Sequence, residues 1–63
     1  MRYREVERIL NQNGWYAQRQ KGSHVQFYCK ANGKRCTVVN HAGKDLSLKV
    51  VEDIEKKTGL KLR

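Results

Sequence analysis

No apolar run in this sequence approaches the roughly 18 residues that suggest a membrane span. The basic opening stretch Met1–Arg8 has no apolar segment behind it, so it is not expected to be a signal peptide. Cysteine is scarce, and Cys29 and Cys36 lack the spacing of about two to four residues that marks a zinc knuckle. There is no GxSxG, phosphate-binding loop, dinucleotide fingerprint or paired-carboxylate pattern. Nor is there a linker, repeat or low-complexity stretch, so residues 1–63 read as a single domain. A chain this short buries only about 60% of the surface that its unfolded form exposes, which leaves no room for a large enclosed cavity. Any catalytic site is therefore expected to be shallow, exposed and aimed at a polymer.

Acidic residues are also few. Fourteen Lys and Arg against six Asp and Glu give a net charge of +8 and a pI of about 9.9. So large an excess attracts polyanions through its summed field, and nucleic acid is the leading partner. A membrane surface is disfavoured, because neither helical segment opposes a wide apolar face with a basic one. A cytosolic protein is expected, with both cysteines reduced.

Tyr3, Val6, Ile9 and Leu10 recur at helical spacing, and Asn13-Gly14 ends that helix. No good N-cap marks its start. Residues 15–20 and 23–30 are strand-like runs separated by a turn at Lys21-Gly22. Asn32-Gly33 predicts a two-residue type I′ hairpin into a third strand over residues 34–40. Ser47 can cap a second helix, with Leu46 and Val51 closing a hydrophobic staple. Leu48, Val51 and Ile54 are its expected buried stripe, and Gly59-Leu60 its Schellman-type stop. The order is helix, three antiparallel strands, helix: an α+β fold.

A two-residue Asn32-Gly33 loop would pair Cys29 with Cys36, Phe27 with Val38 and Val25 with Asn40, a mostly apolar set that belongs against the helices. Tyr28 would then face Thr37, Gln26 would face Val39 and His24 would face His41, a mostly polar set for the open side. Both histidines are thus expected on one exposed sheet surface. A zinc site from Cys29, Cys36, His24 and His41 has the ligand types, but this register sends cysteines and histidines to opposite faces, so no metal is expected. The two thiols read as small core residues. Trp15 lies inside or outside depending on the length of the first hairpin loop. A three-residue loop would bury it, and burial is favoured.

An exposed histidine among cations suits RNA cleavage. That chemistry needs a base for the 2′-hydroxyl, an acid for the leaving 5′-oxygen, and positive charge for the phosphorane. Imidazole titrates near neutrality and can take either proton role. The RNA supplies its own nucleophile, so neither a metal nor a cofactor is required. The bland alternative is a surface polar residue or a simple phosphate contact. Ser23 could assist as a hydrogen-bond donor, although a Ser beside a Gly turn is usually turn chemistry. Gln26 and Tyr28, on the same expected face, could contact bases.

The blocks Gly14-Trp15-Tyr16, Arg19 to His24, Thr37-Val38-Val39, His41-Ala42-Gly43-Lys44-Asp45-Leu46 and Thr58-Gly59-Leu60 are collinear with, and resemble, the HicA (YcfA-like) toxin family over nearly the whole chain. The resemblance implies a double-stranded-RNA-binding-domain-like fold and a toxin of a type II toxin–antitoxin pair that cleaves mRNA without a metal. It implies His24 as the catalytic histidine. A HicB-type antitoxin would cover the active surface, and operator DNA would be bound only through that antitoxin. Arg19, Lys21 and Lys44 would hold phosphates, and His41 would be a second catalytic or RNA-contacting residue. This chain has no proline, and Asn40 and Ser47 stand where family members usually carry one. Lys49-Val50 replaces a common Gly-Thr. Two other classes remain at this point: a non-catalytic RNA-binding module, and an adaptor whose basic face meets an acidic protein.

Overall fold

The computed structural model describes residues 1–41 and 43–63; Ala42, within the His41–Leu46 block, lies outside them. The elements are α1 (Tyr3–Gln12), β1 (Trp15–Lys21), β2 (His24–Cys29), β3 (Lys34–Val39) and α2 (Leu48–Thr58). The strands form one antiparallel sheet in the order β1-β2-β3. This is the α+β helix–three strands–helix arrangement that the pattern predicts.

Alternation along the strands decides the layers. Val25, Phe27 and Cys29 of β2 and Cys36 and Val38 of β3 point into a core closed by Val6 and Leu10 of α1 and Val51 and Ile54 of α2. Each large apolar side chain so buried contributes about 1.5–3 kcal/mol. Leu62 joins them from the C-terminal tail, held there by its backbone N–H, which donates to Glu55 Oε2 at 2.8 Å.

Trp15 is buried, with 2% of its surface exposed, but not through a three-residue loop. The first hairpin closes on a two-residue Gly22-Ser23 turn, with Lys21 still in β1, in place of the expected Lys21-Gly22 turn. Gly22 takes φ +58°, which that tight turn requires. What brings Trp15 inside is a β-bulge at Gln18, between Ala17 and Arg19. Residues 15, 17, 19 and 21 would share one face in a regular strand. The bulge splits them: Trp15 and Ala17 pair with Cys29 and Phe27 on the core side, while Arg19 and Lys21 pair with Gln26 and His24 on the open side.

The second hairpin corrects the expected register. Its loop has four residues, Lys30–Gly33, between the pair Cys29 and Lys34. Gly33 N–H donates to the Cys29 carbonyl at 2.8 Å, and Asn32 Oδ1 accepts from Lys34 N–H at 2.9 Å. Gly33 has φ +72°, but no described non-glycine residue has positive φ, and a type I′ turn requires it at Asn32 as well. The ladder therefore slips by two residues. His24 faces Val39 and not His41; Phe27 faces Cys36, Cys29 faces Lys34, Gln26 faces Thr37, and Tyr28 faces Arg35. An even slip keeps every side chain on its expected face, so the core and open sets survive with their partners exchanged. Both cysteines are buried and free.

The helix ends differ in how they are held. Ser47 caps α2 as expected, its hydroxyl accepting from Val50 N–H at 3.3 Å. Gly59, at φ +74°, ends it by donating to the Glu55 carbonyl at 2.8 Å; Leu60 N–H goes to Thr58 Oγ1 and not to the helix backbone, so the stop is a simple left-handed cap, not the expected Schellman motif. Leu48, expected in the buried stripe, is 58% exposed, and half-buried Val50 packs on the core with Val51 and Ile54. The start of α1 has no side-chain cap at Arg2. It is pinned by the loop before α2: Leu46 N–H donates to the Met1 carbonyl at 2.8 Å, and the Arg2 guanidinium lies 3.0 Å from Asp45. At the other end, Asn13 Nδ2 donates to the Ile9 carbonyl at 2.7 Å and Gly14 has φ +83°.

Candidate RNA-contacting face and its histidine

The two ladders arrange the open face as three rows across the sheet. Lys21, His24 and Val39 form the first, Arg19, Gln26 and Thr37 the second, and Tyr16, Tyr28 and Arg35 the third. Neighbours within a row have Cβ atoms about 4.5–5.5 Å apart. His24 and Lys21 are exposed at the end of the sheet beside the Gly22-Ser23 turn, so both can reach a bound chain from one side. Ser23 is half-buried in that turn; its carbonyl accepts from Asn40 N–H at 2.6 Å, which extends the ladder one residue past β3. Proline at position 40 would lack that donor, so Asn40 makes a bond that proline cannot.

Charge on this face has one sign. All six acidic residues lie at positions 5, 7, 45, 52, 53 and 55, so residues 8–44 carry seven cations and no carboxylate. The ion pairs among the described residues join Arg2 to Asp45, Lys57 to Asp53, and Arg63 to Glu52 and Glu55, all outside the sheet. Arg19, Lys21 and Arg35 are thus uncommitted to any described carboxylate and can meet phosphate at full charge.

Five of the expected site residues are therefore brought together: Arg19, Lys21, His24, Gln26 and Tyr28. His41 and Lys44 are not part of the rows. With Arg4, Arg8 and Gln20 they line a groove of about 910 Å³ between α1 and the segment after β3. Tyr3, also in that groove, donates its hydroxyl to Glu7 Oε2 at 3.2 Å; burial first, then the neighbouring carboxylate, pushes its pKa up to about 12. It remains a protonated donor and cannot serve as a base near neutrality. Cys29 and Cys36 are on the core side and His24 on the open side, so these groups do not converge on one metal.

Sequence reasoning missed Tyr16 and Arg35. Tyr16 is 60% exposed on the open face, and the Arg35 guanidinium lies 5.5 Å from the centre of the Tyr28 ring. The acid-free run over residues 8–44 was the available signal for the basic face; the place of Tyr16 depends on the bulge, which leaves no local mark.

Among the described residues, no helix is long and apolar enough to cross a membrane. Neither a curated protein nor a solved structure matches the chain at a significant level. A family model described as the HicA toxin of bacterial toxin–antitoxin systems matches residues 3–60, which include both helices and all three strands. A match over that much of the chain shows its kinship: the protein belongs to the HicA toxin family.

Proposed function

We propose that this toxin is a metal-independent endoribonuclease acting on mRNA in the cytoplasm, with His24 as its general acid–base. The observation that carries the proposal is the pairing of exposed His24 with Lys21 on a sheet face free of carboxylates. Neutral imidazole takes the proton of a 2′-hydroxyl, and the 2′-oxygen attacks the adjacent phosphorus. Lys21 offsets the charge of the phosphorane that forms. The 5′-oxygen then leaves, protonated by the imidazolium or by water. The products are a 2′,3′-cyclic phosphate and a 5′-hydroxyl end. Arg19, Gln26 and Tyr28 hold the strand along the sheet, Ser23 is a donor at the turn, and Lys44 and His41 meet it on the α1 side.

Metal-free cleavage is consistent with the residues at the site, since the 2′-hydroxyl is the nucleophile and cations supply the electrostatic term. A HicB-type antitoxin would neutralise the toxin by covering the same face, and operator DNA would be engaged through that antitoxin. The test is incubation of purified protein with mRNA in EDTA, scoring cyclic-phosphate ends, beside a folded His24→Ala variant. Undiminished cleavage by that variant would sink the assignment.

One observation weighs toward a non-catalytic RNA-binding module of the same fold. Val39, an apolar residue, occupies the position across from His24. The ladder therefore supplies no second proton-transfer group there. Binding without cut ends would identify that alternative.

A further inference from the structure

The third row of the open face carries two aromatic rings, Tyr16 and Tyr28, that phosphate binding does not use. Tyr16 and Tyr28 are directly paired across β1 and β2, and Arg35 is directly paired with Tyr28 across β3. The guanidinium of Arg35 sits over the Tyr28 ring, 5.5 Å from its centre, which stiffens that pair by cation–π attraction. Tyr16 is different. Among the described residues it is one of two exposed large hydrophobic side chains, at 60%, while an aromatic pair in contact, Tyr3 with Phe27, is on the core side. An aromatic ring left open on a basic, acid-free sheet surface offers a π-face where unpaired bases can be received.

We propose that Tyr16, braced by the Tyr28–Arg35 pair, is a stacking subsite for one base of a single-stranded RNA, distinct from the His24 centre. The proposal rests on the reading of this face as the RNA site. Tyr28 lies four residues from His24 along β2, about 13 Å at roughly 3.3 Å per residue. At a stacked rise of about 3.4 Å per nucleotide, that is at most about four nucleotides from the bond broken. The subsite therefore receives a base near that bond without touching it, and demands an unpaired strand, because in a duplex the faces of each base are covered by its stacked neighbours. Arg19, in the row between, is placed to hold a phosphate of the connecting nucleotides.

The experiment uses the full chain carrying His24→Ala, so that RNA stays uncut, and a short single-stranded oligonucleotide with 2-aminopurine moved one position at a time. Quenching is expected at one position of the strand. Tyr16→Ala is expected to abolish that quenching and weaken binding by about 5- to 150-fold, the range for loss of one base–aromatic stack. Tyr16→Phe keeps the ring and restores both. Arg35→Gln, which removes the brace, gives a partial loss, and a duplex competes poorly. Circular dichroism verifies that each variant is folded. Equal binding and quenching in Tyr16→Ala would overturn the stacking subsite while leaving RNA binding in place. Failure of the His24→Ala chain with Tyr16 intact to bind any RNA at low salt would overturn the RNA-site reading itself.

Discussion

Lys21 stands directly across the β1–β2 ladder from His24, at the sheet end where the Gly22-Ser23 turn leaves both side chains exposed. A cation and an imidazole held by paired backbones need little reorganisation to share one phosphate.

In the proposed mechanism, removing His24 removes the proton transfer. His24→Ala is expected to lower RNA cleavage by about 10²- to 10⁴-fold. Because the side chain is exposed, stability should stay within about 0.5 kcal/mol. Single-turnover cleavage and a urea melt check the two halves.

Lys21→Ala should lower the cleavage step about tenfold or more, with Lys21→Arg retaining most of it. Arg19→Ala should act on binding, reducing the dependence of log affinity on log salt by about 0.7 for a single strand. Titrations at several salt concentrations distinguish these roles. An unchanged slope in Arg19→Ala would place Arg19 off the phosphate path.

Deleting Gln18 removes the bulge and restores strict alternation. Either Trp15 leaves the core or Arg19 and Lys21 turn into it. Loss of a buried Trp side chain costs about 3–5 kcal/mol, comparable to everything a core of this size supplies. The deletion is expected to unfold the chain, as read by circular dichroism, whereas Gln18→Ala, which keeps the bulge, should fold.

Leu48 and Ile54 provide a matched pair on one helix. Leu48→Ser should change stability by about 0.5 kcal/mol or less, since the side chain is largely in water. Ile54→Ala should cost about 2–5 kcal/mol. Denaturant midpoints measured on both variants check the contrast.

Glu55 ties the tail to α2. The Leu62 backbone N–H, then Arg63, holds its carboxyl below the usual value of 4.5. A folded-state value below the unfolded one gives stability that is present above 4.5 and lost as pH falls through the lowered value. The melting temperature of the native chain should therefore exceed that of Glu55→Gln at neutral pH, and the gap should close with acid. A pH-independent gap would mean that the charge contributes nothing.

Much of this fold was legible because its signals are local. The period of Tyr3, Val6 and Leu10, the Ser47 cap and the Gly14 and Gly59 stops are written within a few residues of where they act. The faces of β2 and β3 were also legible, since alternation sets them. The partners across the strands were not. Asn32 stays out of the left-handed region, so the loop takes four residues and Val39, not His41, meets His24. Leu48 reads as part of an apolar stripe, but its exposure depends on where α2 settles against β3. Tyr16 and Arg35 joined the site only once register and bulge were known.

By itself, then, the sequence determined the order and type of the elements, the inner and outer face of the two later strands, and a basic, acid-free stretch containing one histidine-bearing strand start. Those follow from local periodicity and composition. Tertiary structure decided that Trp15 goes in while Arg19 and Lys21 stay out, and that Lys21 therefore flanks His24. The reason is energetic. Burying the indole favours the inner face, keeping two cations hydrated favours the outer one, and a single extra residue at Gln18 is what allows one strand to satisfy both.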